Sequence, residues 1–182
     1  EEERIKHEQK DDAEVIDETY RMSHLWVHDL TRGESRQLTH GPFTVANPDW
    51  SPDSRRIAYE RRPTPAANDR WRSDIWMVEV DGGSAQLLHE NSGSDTSPRW
   101  SPDGRTIAYT SNPISGSNTS HHDLHLISPD GGELRVLLDD VDLDISRPVW
   151  SPDGRRLYWS VGSGTATELF AVSVESGAVR SD

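Results

Sequence analysis

The chain has 182 residues, 32% of them hydrophobic, carries a formal net charge of −13 and contains no cysteine. The acidic balance disfavours nonspecific nucleic-acid binding, which draws on clustered Lys and Arg. The missing thiol excludes a disulfide framework, a thiolate metal site and a cysteine nucleophile. No apolar run of about 18 residues is present, so no membrane-spanning helix is expected.

Residues 1–23 are rich in acid groups and lack the pattern that follows; they read as a linker or, at Ala13-Glu14-Val15-Ile16, as an outer strand of a preceding sheet. A first β-type run, Leu25-Trp26-Val27, is joined through Thr31-Arg32-Gly33-Glu34 to a second, Arg36-Gln37-Leu38. Then comes Trp50-Ser51-Pro52-Asp53, followed by Ile57-Ala58-Tyr59, a long polar loop, Ile75-Trp76-Met77, the turn Asp81-Gly82-Gly83 and Gln86-Leu87-Leu88. The same succession restarts at Trp100-Ser101-Pro102-Asp103-Gly104 and again at Trp150-Ser151-Pro152-Asp153-Gly154, at a spacing of 50 residues each time. A period of that length marks stacked supersecondary units.

Each unit reads as four short antiparallel strands: one ending in Trp, one with Ala-Tyr or its equivalent, one with an aromatic third position, and one with Leu. Asp-Gly-Gly supplies the positive φ that hairpin turns need. Both faces of the third strand are apolar, as expected for a sheet packed on each side. The expected fold is therefore all-β, a partial β-propeller of about three and a half four-stranded blades. Residues 24–40 form half a blade, 46–89 and 97–139 whole blades, and 146–182 most of another. Two open edges would follow, closed by the rest of a parent chain or by edge-to-edge pairing of two copies.

In the signature, Trp50, Trp100 and Trp150 end the inner strand and pack between blades. Pro52, Pro102 and Pro152 preset φ, and Asp53, Asp103 and Asp153 bond nearby backbone in the turn. Gly104 and Gly154 permit a left-handed residue; the first copy has Ser54 there, a source of strain. The motif is structural.

Trp-Ser-Pro-Asp-Gly followed by a short apolar strand resembles the WD40-like repeat of TolB-type periplasmic proteins and of the propellers of prolyl-oligopeptidase-type (S9) serine peptidases. The stretch from Lys10 through Glu18, running into His24-Leu25-Trp26-Val27-His28 and Arg36-Gln37-Leu38-Thr39, is similar to the acylaminoacyl-peptidase branch. That resemblance implies a propeller that caps an α/β-hydrolase domain in the parent, gates access and contributes to specificity for short peptides. A TolB-like protein–protein interaction module is the alternative. No Gly-x-Ser-x-Gly elbow occurs, so no catalytic residue is assigned; Gly162-Ser163-Gly164 and Ser115-Gly116-Ser117 read as loops. No cofactor is expected, and the cytoplasm is the expected compartment, with a periplasmic or secreted location left open.

Three further clusters carry candidate chemistry. His121-His122-Asp123 combines imidazoles with a carboxylate, as zinc prefers, although His125 just beyond occupies the aromatic packing slot of Trp26, Trp76 and Phe170. Asp140, Asp142 and Asp144 mimic half a calcium loop but lack its Gly and terminal Glu. Arg70-Trp71-Arg72, in the long loop from Pro63 to Ser73, either contacts a partner or a peptide carboxylate, or folds its Trp back onto its own blade. His24 and His28 lie four apart on a strand, too far apart to share a metal.

Overall fold

Short runs of β-branched and aromatic residues between tight turns build a nearly all-β chain. The computed structural model describes residues 21–112, 122–139, 145–163 and 166–181. A two-stranded sheet comprises β1 (Trp26–Asp29) and β2 (Glu34–Gln37). Three four-stranded antiparallel sheets follow: β3 (Thr44–Trp50), β4 (Arg56–Arg62), β5 (Asp74–Glu79) and β6 (Gln86–His89); β7 (Ser94–Trp100), β8 (Ile107–Asn112), β9 (Asp123–Ile127) and β10 (Arg135–Leu138); β11 (Val149–Trp150), β12 (Arg156–Ser163), β13 (Ala166–Ser173) and β14 (Val179–Ser181). Within each, strands neighbour one another in chain order, so every connection is a hairpin. One 3-10 turn, Ala67–Trp71, interrupts the long loop between β4 and β5.

The core lies in three seams between successive sheets. Leu25, Phe43, Val45, Ile57, Tyr59 and Val78 fill the first; Ala58, Ile75 and Met77 meet Trp100, Ile107 and Tyr109 in the second; Leu124, Leu126 and Leu137 meet Leu157, Trp159 and Val172 in the third. β8, flanked by a sheet on either side, is buried along its whole length, whereas the first four residues of β13 in the last sheet are exposed. Position in the stack therefore decides burial as strongly as residue type does.

Polar bonds stitch the seams as well. The Trp100 amide donates to Asp49 Oδ2 at 2.7 Å, and Trp150 Nε1 donates to the Arg99 carbonyl at 3.0 Å. At the rim Arg36 donates to the Val80 carbonyl, and Arg135 Nη2 to the Val174 carbonyl at 2.6 Å.

The three signature turns are superimposable in their bonding. Ser51 Oγ donates to Asp53 Oδ1 at 2.6 Å and accepts from the Arg56 amide at 2.9 Å, while the Arg55 amide donates to the same Asp53 oxygen at 3.1 Å. Ser101 with Asp103 and Ser151 with Asp153 repeat it. Donation from the serine hydroxyl, and next from the arginine amide, holds each of the three aspartates below its ordinary 3.8. A depressed carboxylate stabilises the fold above its unfolded pKa and loses that contribution as pH falls through the folded one.

Ser54 adopts φ 60°, where Gly104 and Gly154 have 69° and 68°. Ser54→Gly should therefore stabilise the chain by up to about 1 kcal/mol, since the left-handed penalty it removes exceeds the entropy glycine adds to the unfolded state. A higher urea midpoint at unchanged slope would register it.

The tryptophans of the signature differ in burial. Trp100 is 6% exposed, but Trp50 is 46% exposed, contrary to the expectation that all three pack between blades. Trp150 bonds the inner strand of the preceding sheet and Trp100 packs with Ala58, Ile75 and Met77 of the sheet before it, whereas among the described residues the sheet before Trp50 has only two strands.

Candidate functional site

A shallow cleft of about 320 Å³ opens where the inner strands of the second and third sheets meet. Its floor is made by an irregularity that both strands share. The register of β3 against β4 shifts between Ala46 and Asp49, and that of β7 against β8 between Thr96 and Arg99. At the shift Asn47 and Ser97 sit at φ 45° and 55°, each just before a proline; Arg147, before Pro148, has φ 47°. A residue before proline is ordinarily driven to extended backbone. A left-handed non-glycine residue there costs of order 1–3 kcal/mol and is over-represented at binding sites. Proline suits these strands because they are the inner edges of their sheets, where a missing N–H breaks no ladder.

Glu60 on β4 locks the two bulges together. Its Oε1 accepts from Asn47 Nδ2 at 2.5 Å and from the Ser97 amide of the next sheet at 2.6 Å, and the residue is buried. Glu60→Ala should cost about 1–3 kcal/mol by leaving the buried Ser97 amide without its acceptor; thermal unfolding measures it.

The walls are Arg62 at the end of β4, Arg70 and Trp71 of the 3-10 turn, Ser94, Thr96 and His122. Arg70 lies over the Trp71 ring at 4.2 Å. Arg72 is not among the lining residues and pairs instead with Asp69 at 3.5 Å. Thus Arg70, Trp71 and His122, far apart in the sequence, share one cleft, while Arg72 and Asp123 do not reach it. Asp123 approaches His125 Nε2 at 3.8 Å. His121 and Asp140, Asp142 and Asp144 lie outside the described residues, and among those described no group of three or more His, Asp or Glu is arranged to hold a metal. His24 packs edge-on against Phe43, and His28 Nδ1 meets Ser35 Oγ at 2.9 Å.

A second polar centre lies in the seam beside β7. The carboxylate of Asp95, fully buried, accepts from His89 Nδ1, Asn91 Nδ2 and Ser111 Oγ, all at 2.6 Å. Tyr109 and His125 close it with ring contacts of 5.6 Å and 6.2 Å to His89. The bond to Asp95 raises the His89 pKa, whereas burial lowers that of His125. Asp74 nearby is pushed up to about 6, chiefly by burial and then by the Asp95 and Glu90 charges.

Sequence reasoning singled out Arg70, Trp71 and His122 but missed Asn47, Ser97, Glu60 and Asp95. The bulges had a legible signal: Pro48, Pro98 and Pro148 extend the repeat two residues ahead of each Trp.

Comparison with known proteins bears on the architecture. A TolB of Agrobacterium tumefaciens is similar over 88% of this chain and 56% of its own, with 21% identity and a TM-score of 0.64. A prolyl endopeptidase is similar over 88% of this chain and 25% of its own, at 20% identity and 0.60. The acylaminoacyl peptidase of Pyrococcus horikoshii is similar over 77% and 25%, at 16% and 0.58. The fold is a partial β-propeller. No protein-family model and no curated protein sequence matches the chain. The propeller spans about half the length of the TolB and a quarter of each peptidase chain.

Proposed function

We propose that this propeller is the non-catalytic portion of a prolyl-oligopeptidase-type serine peptidase, limiting access to a hydrolase domain of the parent protein and contacting short peptide substrates. The observation that supports this reading is the cleft itself: an arginine stacked on a tryptophan, beside a second arginine, at the inner edges of two blades. Inner edges are where a substrate passing along a propeller axis meets the backbone. Cleavage would need the parent's own triad.

The coding sequence around this segment tests the reading. An α/β-hydrolase domain with a Gly-x-Ser-x-Gly elbow is expected, and in the parent enzyme Arg70→Ala should raise KM for short peptides more than it lowers kcat. A parent made of propeller blades alone would overturn the peptidase reading. Capture of envelope proteins by such a parent would point to a TolB-like interaction module.

A further inference from the structure

The arginines of β4 and the loop after it divide into those with partners and those without. Arg56 reaches Asp130 at 3.1 Å, and Arg61 is held between the rings of Phe43 at 3.9 Å and Trp76 at 4.2 Å. Arg72 has Asp69. Arg62 and Arg70, which both line the cleft, make no ion pair with any described residue. The Nε of Arg62 is also buried without an acceptor among the described residues. An unbonded buried guanidinium N–H is costly, and a negatively charged acceptor at the Arg62 side chain would offset that cost. Glu60, the cleft's carboxylate, has its Oε1 turned to Asn47 Nδ2 and the Ser97 amide.

Stacking fixes what Arg70 can do. The Arg70 guanidinium lies over the Trp71 ring at 4.2 Å, and a guanidinium held on an aromatic face in this way can still present its in-plane N–H fork to a carboxylate. Ser94 adds a hydroxyl in the same wall. On a chain of net charge −13, a cleft with two cations that have no ion pair among the described residues stands out against its surroundings and would draw an anion to itself.

We propose that this cleft binds an organic carboxylate, foremost the C-terminal carboxylate of a short peptide, on the forks of Arg62 and Arg70. The choice of a peptide as bearer rests on the peptidase reading above; the carboxylate site itself does not.

Titration calorimetry on the intact chain tests it with three probes: N-acetyl-trialanine, its C-terminal amide, and succinate. The acid is expected to bind in the millimolar range, the amide about tenfold more weakly, and Arg70→Ala to weaken the acid about tenfold, with affinity falling as salt rises. Arg62→Lys, which keeps the charge but not the fork, should weaken it too, and this variant and Arg70→Ala carry the test if Arg62→Ala fails to fold. Succinate binding as well as the peptide acid would uphold the carboxylate site and overturn the peptide as its bearer. Equal binding of acid and amide, no effect of either arginine, or no heat at about 10 mM ligand would overturn the site, while leaving the parent's hydrolase domain to be judged from its coding sequence.

Discussion

Trp100→Ala should cost about 3–5 kcal/mol, whereas Trp50→Ala, the same change in the same motif, should cost about 1 kcal/mol or less. Urea unfolding of the two variants against the parent chain measures both. Trp100 is buried among Ala58, Ile75, Met77, Ile107 and Tyr109, with Arg56 over its ring at 5.0 Å. Its removal opens a cavity between two sheets whose backbones are held in place by the Asp49–Trp100 and Glu60–Ser97 bonds, so the seam cannot collapse to fill it. Trp50 contributes to no such seam among the described residues. Equal losses for the two would mean that the ring acts within its own turn, and that packing between sheets is not what the motif supplies.

The contrast explains which parts of the molecule the repeat made legible. Strand order, hairpin connections and the Ser-Pro-Asp turns of the signature follow from local chemistry: in all three copies after Trp a hydroxyl and a carboxylate two residues apart bond each other and the next amides. Ser54 was recognisable as a strained substitute because two other copies show glycine in its place. What stayed hidden depends on which sheet lies alongside. The burial of Trp100 but not of Trp50 is one case. Glu60 is another: in sequence it is a charged residue near a strand end, and only the approach of Ser97 from the next sheet turns it into a buried clasp. The cleft joins Arg70 and Trp71 to His122 across some fifty residues, by a meeting of loops that no period encodes.

Asp95 shows how far a single blade departs from its neighbours. The place one period away on either side holds Val45 and Ile145, both buried, so a carboxylate occupies what is elsewhere an apolar slot. Asp95→Ala should cost about 3–5 kcal/mol near pH 6, because His89, Asn91 and Ser111 all lose their common acceptor. The loss should depend on pH in a defined sense. His89 has a raised pKa, so its charged bond to Asp95 stabilises fully below the unfolded 6.5 and fades as pH rises through the folded value. Asp74, raised to about 6 in part by the Asp95 charge, likewise holds its proton more tightly in the folded chain, so Asp95 destabilises the fold through Asp74 once that group ionises. Both effects make Asp95 worth less at higher pH, and the cost of removing it should shrink towards about 1–3 kcal/mol once His89 is neutral, where the carboxylate loses bonds from uncharged donors only. His125 has a pKa lowered by burial and partly restored by the Asp95 charge, so losing Asp95 also removes support for a protonated His125, a cost that grows as pH falls and adds to the same trend. A difference in unfolding free energy that is flat from about pH 5 to 9 would refute the charged His89–Asp95 bond. Asp95→Val should not rescue the loss although valine is native one period earlier, because the three donors would remain and the slot would still be polar on the side facing them.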